Sequence, residues 1–196
     1  MIRMTAFVSG MAVTVLELAA ARLLAPYFGA SLFVWTNVIG VILVGLGRWA
    51  DRTEDPRTLY RLLGIAGILA GVTPFAVGPV SSMIVSQGVF TTVGLLALVV
   101  GSFVVVTVLF LVPIALLGMT SPFLIAIANR TATDGVGTIS GRIFALSTMG
   151  SILGVFGTGL LFVPVFGTRK TILAAACALV ILAFAGDRSV RWGAIA

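Results

Sequence analysis

Gly10-Met-Ala-Val-Thr-Val-Leu-Glu17-Leu-Ala-Ala-Ala-Arg22-Leu-Leu-Ala-Pro26-Tyr-Phe-Gly29 is an apolar segment with a carboxylate inside it, a cation five residues further on and a proline near its end. An ionised group in hydrocarbon costs at least ~2.5 kcal/mol on the lenient insertion scale, so such an acid is ordinarily paired, turned towards protein or water, or functional. On a helix, Glu17 shares a face with Gly10, Thr14 and Ala21. That stripe lets a neighbouring helix or a water-filled cavity approach the carboxylate. Two readings stand. Glu17 is a cation or proton site inside a bundle, or it is a structural anchor, hydrogen-bonded to a neighbour such as Asn37 or paired with Arg22. Arg22 reads first as an interfacial residue, its stem along apolar surface and its charge in water.

The rest of the chain says what surrounds this segment. Apolar residues make up 60% of the 196 and charged residues 9%, against roughly 25% charged in soluble domains. Long, nearly uncharged runs recur, which predicts an all-α, polytopic integral membrane helix bundle of about six spans. The helices are expected at 4–25, 31–47, 62–79, 91–129 (broken at Pro113 and near Pro122), 143–166 and 171–186. Pro26 is expected to end the first, because helix is disfavoured at the residue before a proline. Two separate spans are the rival reading of 91–129. Glu17 inside the first run argues against a cleaved signal, so that helix is expected to be retained.

The net charge of +6 does not point to nucleic acid, because the cations sit in short loops between apolar runs and form no basic face. Nine of the twelve (Arg3, Arg48, Arg52, Arg57, Arg61, Arg130, Arg142, Arg188 and Arg191) fall on one side of a six-span parse, against Arg22, Arg169 and Lys170 on the other. The positive-inside rule then puts both termini in the cytoplasm, with the chain in the cytoplasmic membrane. There is no histidine, and Cys177 is the single cysteine. No metal site or cofactor is expected, because histidine, the commonest metal ligand, is absent and no cluster has enough ligands.

Several segments, in this order, resemble the membrane domain of the fused major-facilitator-like/spermidine synthase family. They are Leu16 to Gly29, Leu32-Phe-Val-Trp35-Thr-Asn37-Val-Ile-Gly40, Leu117-Gly118-Met-Thr-Ser121-Pro122-Phe, Gly141-Arg142 through Ser147, Gly150 and Ser151 to Gly154, and Gly167-Thr-Arg169. The resemblance implies half of a transporter-like architecture, which in that family is commonly followed by a soluble aminopropyltransferase-like domain. The chain departs from the pattern after Val44, where Gly47-Arg48 runs straight into Trp49-Ala-Asp51-Arg52.

The implied function is binding or transport of a polyamine or related small cation, with Glu17 as the acid and Arg22 and Asn37 as further candidates. The alternative is a membrane anchor or regulatory partner for a separately encoded aminopropyltransferase. The chain itself is not expected to be an enzyme, since no Rossmann unit fits it. As a half-transporter it is expected to act as a homodimer or beside another membrane subunit.

Three further motifs have specific readings. Asp51 and Arg52 resemble the loop between helices two and three of major-facilitator transporters, where such a pair helps lock the cytoplasmic side; a solvated, topology-setting loop is the other reading. Ser147, Gly150, Ser151, Gly154 and Thr158 follow at three- and four-residue steps, which predicts a face for close helix packing. Gly135-Val-Gly137-Thr-Ile-Ser-Gly141 has neither the spacing nor the preceding strand of a nucleotide-binding loop and is expected to be a connection between helices.

Overall fold

The computed structural model describes residues 1–29, 55–86, 95–131 and 135–191. Among them there are helices and no strand: α1 (Ile2–Phe28), α2 (Pro56–Ser86), α3 (Leu95–Gly118), α4 (Thr120–Thr131), α5 (Val136–Phe156) and α6 (Thr168–Arg191). The rod that begins as α5 continues through a π-helical stretch, Gly157–Phe162, and a last α-helical turn, Val163–Phe166. Five runs among the described residues are long and apolar enough to cross a membrane: Ile2–Phe28, Pro56–Ile84, Val99–Arg130, Val136–Phe166 and Thr168–Val190.

α1 is the hub and touches every other labelled helix. Its leucines and alanines Leu16, Ala19, Ala20 and Leu24 are buried with Leu63, Phe110, Phe123 and Leu179 in one continuous core. Small residues set how closely the rods approach. A Cβ on Gly150 would run into the Phe7 carbonyl, and one on Gly10 into the Ser147 carbonyl. On the other side of the bundle Gly67 of α2 meets Ala176 and Leu179 of α6, and Gly186 of α6 lies against the Tyr60 ring.

These pairs also fix direction. Phe7 meets Gly150, Gly10 meets Ser147 and Ser151, and Thr14 meets Ser151 and Gly154, so α1 and α5 run parallel at an offset of about 140 residues. α6 turns back at Gly167, whose φ of 82° suits a residue without a side chain, and runs antiparallel to α5. It is also antiparallel to α2, since Tyr60 pairs with Gly186 and Gly71 with Ala176. α1 and α2 are therefore parallel, and two contacts agree: the Tyr60 and Thr5 side chains are neighbours at one end, and Gly78 faces the Tyr27 hydroxyl at the other. The span expected at 31–47 lies outside the described residues.

Several helix bounds differ from expectation, mostly because proline is tolerated inside these rods. α1 runs through Pro26 to Phe28. Proline removes one ladder bond, and the stop comes at Gly29, φ 76°, whose N–H donates to the Ala25 carbonyl at 2.9 Å. α2 starts at Pro56 rather than 62 and passes through Pro74 and Pro79 to Ser86. Pro74 leaves the Ala70 carbonyl without its i+4 donor, and the Thr73 hydroxyl takes that place at 2.8 Å. The segment beyond residue 79, expected to lie between helices, is thus helical to Ser86.

Pro113 does not interrupt α3. The break falls at Met119, where the Met119 N–H still reaches the Ala115 carbonyl at 3.2 Å, and Val99–Arg130 is one candidate span rather than two. α5 begins at Val136, so most of the glycine-rich 135–141 connection is its first turns, with Gly135 as N-cap. α6 likewise begins at Thr168, which leaves Gly167 as the turn, and continues past Gly186 to Arg191. There the Arg188 guanidinium stacks over the Phe184 ring at 4.9 Å.

Candidate functional site

The α1–α5 seam gathers the polar groups that the sequence places in apolar surroundings. Ser151 donates its hydroxyl proton to the Gly10 carbonyl at 3.1 Å. The Thr14 hydroxyl lies 3.0 Å from the Met11 carbonyl and 3.2 Å from the Ser151 carbonyl, so it can donate within its helix or across the seam. Gly154 packs on Thr14 and Met11. Gly150, Ser151 and Gly154 thus all face α1, and the spacing that brings them onto one side of α5 also brings Gly10 and Thr14 onto the facing side of α1.

Glu17 is the next residue along this stripe after Thr14. It is half-buried, and no hydrogen bond or ion pair with another described residue engages its carboxylate. Arg22, one turn further on, is exposed and is not its partner among the described residues. Asn37, Asp51 and Arg52 lie outside the described residues.

The 140-residue offset puts Glu17 level with Gly157 and Thr158, where the α5 rod changes to π-helix. Thr158 is fully buried, and its hydroxyl has no partner among the described residues. Its carbonyl is occupied, by the N–H of Val163 five residues on. That wide turn has a local cause. Pro164 cannot donate to the Leu160 carbonyl, and Gly157 leaves room for the Phe162 ring to fold back over it. The extra residue in the turn returns Val163 to the buried side below Thr158. π-helical insertions of this kind recur at functional sites.

The Thr158 position was visible in the three- and four-residue spacing of small residues. Its lack of a partner and the π-helical stretch were not, although Gly157, Gly159 and Pro164 together are the signal that the ladder is disturbed. Among the described residues no three His, Cys, Asp or Glu side chains come together as metal ligands. The site is therefore one carboxylate, one hydroxyl without a partner among the described residues, and the carbonyl-rich surface of a seam that glycines bring close. Such a set accepts positive charge and hydrogen-bond donors. It offers no nucleophile–base pair.

Comparison of the chain with protein-family models, with curated proteins and with solved structures gives no match.

Proposed function

We propose that the chain is a multi-pass integral membrane module of about six crossings that binds, and in assembly with a second half carries, a small organic cation of the polyamine class at Glu17. Its surface supports the membrane setting. Phe75 is 64% exposed, Leu160 75% and Ile181 68%, and similar apolar side chains cover the outside of most rods. Soluble monomers rarely expose contiguous apolar surface on this scale.

The charges sort by end. Arg3, Arg57, Arg61, Arg130, Arg142 and Arg188 lie where α1, α2 and α5 begin and where α4 and α6 end. Arg22, Arg169 and Lys170 lie towards the opposite end. This favours cytoplasmic termini.

The observation that carries the functional reading is the Glu17 carboxylate. It sits on the central helix without a charge or hydrogen-bond partner among the described residues, level with the unpartnered Thr158 hydroxyl. A protonated amine brings both the charge that neutralises the carboxylate and donors for the surrounding carbonyls.

The test compares thermal stability of the detergent-solubilised wild type and Glu17→Gln with and without spermidine. A ligand that binds only the folded state adds about 2.7 kcal/mol at roughly 100 times its dissociation constant, so wild type should gain several degrees. Glu17→Gln keeps size and shape and should gain nothing. Equal responses from the two proteins would remove Glu17 as the cation site and favour the anchor for a separate aminopropyltransferase.

A further inference from the structure

About a quarter-turn round α1 from the Gly10–Thr14 stripe, a cavity of about 370 Å³ opens between α1, the π-helical end of the α5 rod and the first turns of α6. Its volume is within the ~300–1,000 Å³ range of ligand-holding clefts. Met11 and Val15 form one wall, Phe162 and Phe166 a second, and the small side chains of Ala174 and Ala175 the third. The one hydroxyl in the lining, that of Thr171, is already committed to the Gly167 carbonyl at 2.9 Å. The interior thus offers no free hydrogen-bond donor and suits a hydrocarbon chain.

Its mouth is different. Lys170 lines the cavity, is exposed, and belongs to the first turn of α6, where the helix dipole adds to its positive charge. Arg22 is exposed and follows Met11 and Val15 by eleven and seven residues, which puts it on the same face of α1, nearer the same end of the groove. Two cations from two different helices therefore flank one end of a greasy slot. Their long stems allow both charges to meet at the level of a lipid headgroup.

We infer that this groove is a binding site for an anionic phospholipid, its acyl chain along Met11, Val15, Phe162 and Ala174 and its phosphate between Arg22 and Lys170. The inference rests on the reading of the chain as membrane-spanning. It is independent of Glu17, whose side of α1 faces the seam with α5; the two mouth cations would repel a polyamine and attract a phosphate. A zwitterionic lipid offers the same hydrocarbon without the net charge, so the site is selective by headgroup.

The experiment reconstitutes the chain in nanodiscs of equal parts phosphatidylglycerol and phosphatidylcholine with identical acyl chains, then extracts it gently and measures retained lipid by native mass spectrometry. Wild type should keep one phosphatidylglycerol per chain. The double variant Arg22→Gln, Lys170→Gln changes only exposed side chains and should hold it roughly thirtyfold more weakly, about fivefold per cation. Ala174→Phe fills the groove from its exposed wall with both charges in place and should also release the lipid. Unchanged retention in these variants, or equal retention of the two lipids by wild type, overturns the proposal. Failure of the chain to enter the bilayer at all overturns the membrane reading instead, so the two failures are distinguishable.

Discussion

Along α1 and α5 the glycines bring hydroxyls and carbonyls into contact; along α2 and α6 they bring methyl groups and an aromatic ring. Gly10, Gly150 and Gly154 sit against the Ser147 carbonyl, the Phe7 carbonyl and the Thr14 hydroxyl. A Cβ on Gly64 or Gly71 would lie 3.4 Å from the β-carbon of Ala183 or Ala176, and one on Gly186 would run into the Tyr60 ring. Close approach is common to both seams. In the second it yields mainly hydrocarbon packing, the Ala176 carbonyl opposite Gly67 being the exception. In the first it lines up a polar strip that ends at a carboxylate and a buried hydroxyl, neither with a described partner. The same small-residue spacing thus serves stability on one side of the bundle and, in the proposal made above, cation recognition on the other.

Introducing one methyl group at matched positions gives the largest expected contrast. Gly150→Ala places its Cβ inside the Phe7 carbonyl, which cannot swing aside, and should destabilise by about 2 kcal/mol or more. Gly64→Ala places the same methyl at ordinary contact distance from Ala183 and should be neutral or gain a few tenths of a kcal/mol from helix propensity. Denaturant titration in mixed micelles measures both, and equal costs would erase the distinction between the seams.

A smaller effect is expected at Thr158. Thr158→Val is close to isosteric and removes a buried donor that has no partner among the described residues. It should stabilise the ligand-free protein by about 1 kcal/mol and weaken the thermal response to spermidine. A loss of stability without ligand would mean that the hydroxyl is satisfied, and would detach Thr158 from the site.

The helical class, the packing face on α5 and the exceptional position of Glu17 were legible because each rests on local pattern: long uncharged runs, three- and four-residue spacing, and one acid in an apolar segment. The helix ends were not. Pro26 and Pro113 read as breaks, since a lone proline removes a donor and crowds the turn before it. Here each costs one ladder bond, and at Pro74 the neighbouring Thr73 hydroxyl covers the freed carbonyl. The exchange of polar groups between α1 and α5 is a tertiary fact. Thr14 and Ser151 are 137 residues apart, and no local pattern says that they meet, or that their helices run the same way. The π-helical stretch depends on Gly157 and Pro164 acting through one another. The expected positions of Asn37, Asp51 and Arg52 lie outside the described residues and add nothing to the comparison.

The parallel register of α1 and α5 is what puts Glu17 level with Thr158, and disulfide trapping tests it directly. In a Cys177→Ala background, the pair Glu17→Cys with Thr158→Cys should cross-link readily under mild oxidation, since the bond forms only between residues whose α-carbons lie within about 7 Å. Glu17→Cys with Ser147→Cys should not, because Ser147 lies eleven residues from Thr158 along the same rod, roughly 16 Å at helical rise. Cross-linking of the 17–147 pair in preference to the 17–158 pair is the signature of antiparallel helices meeting at Thr14 and Ser151, and would contradict the site at its foundation.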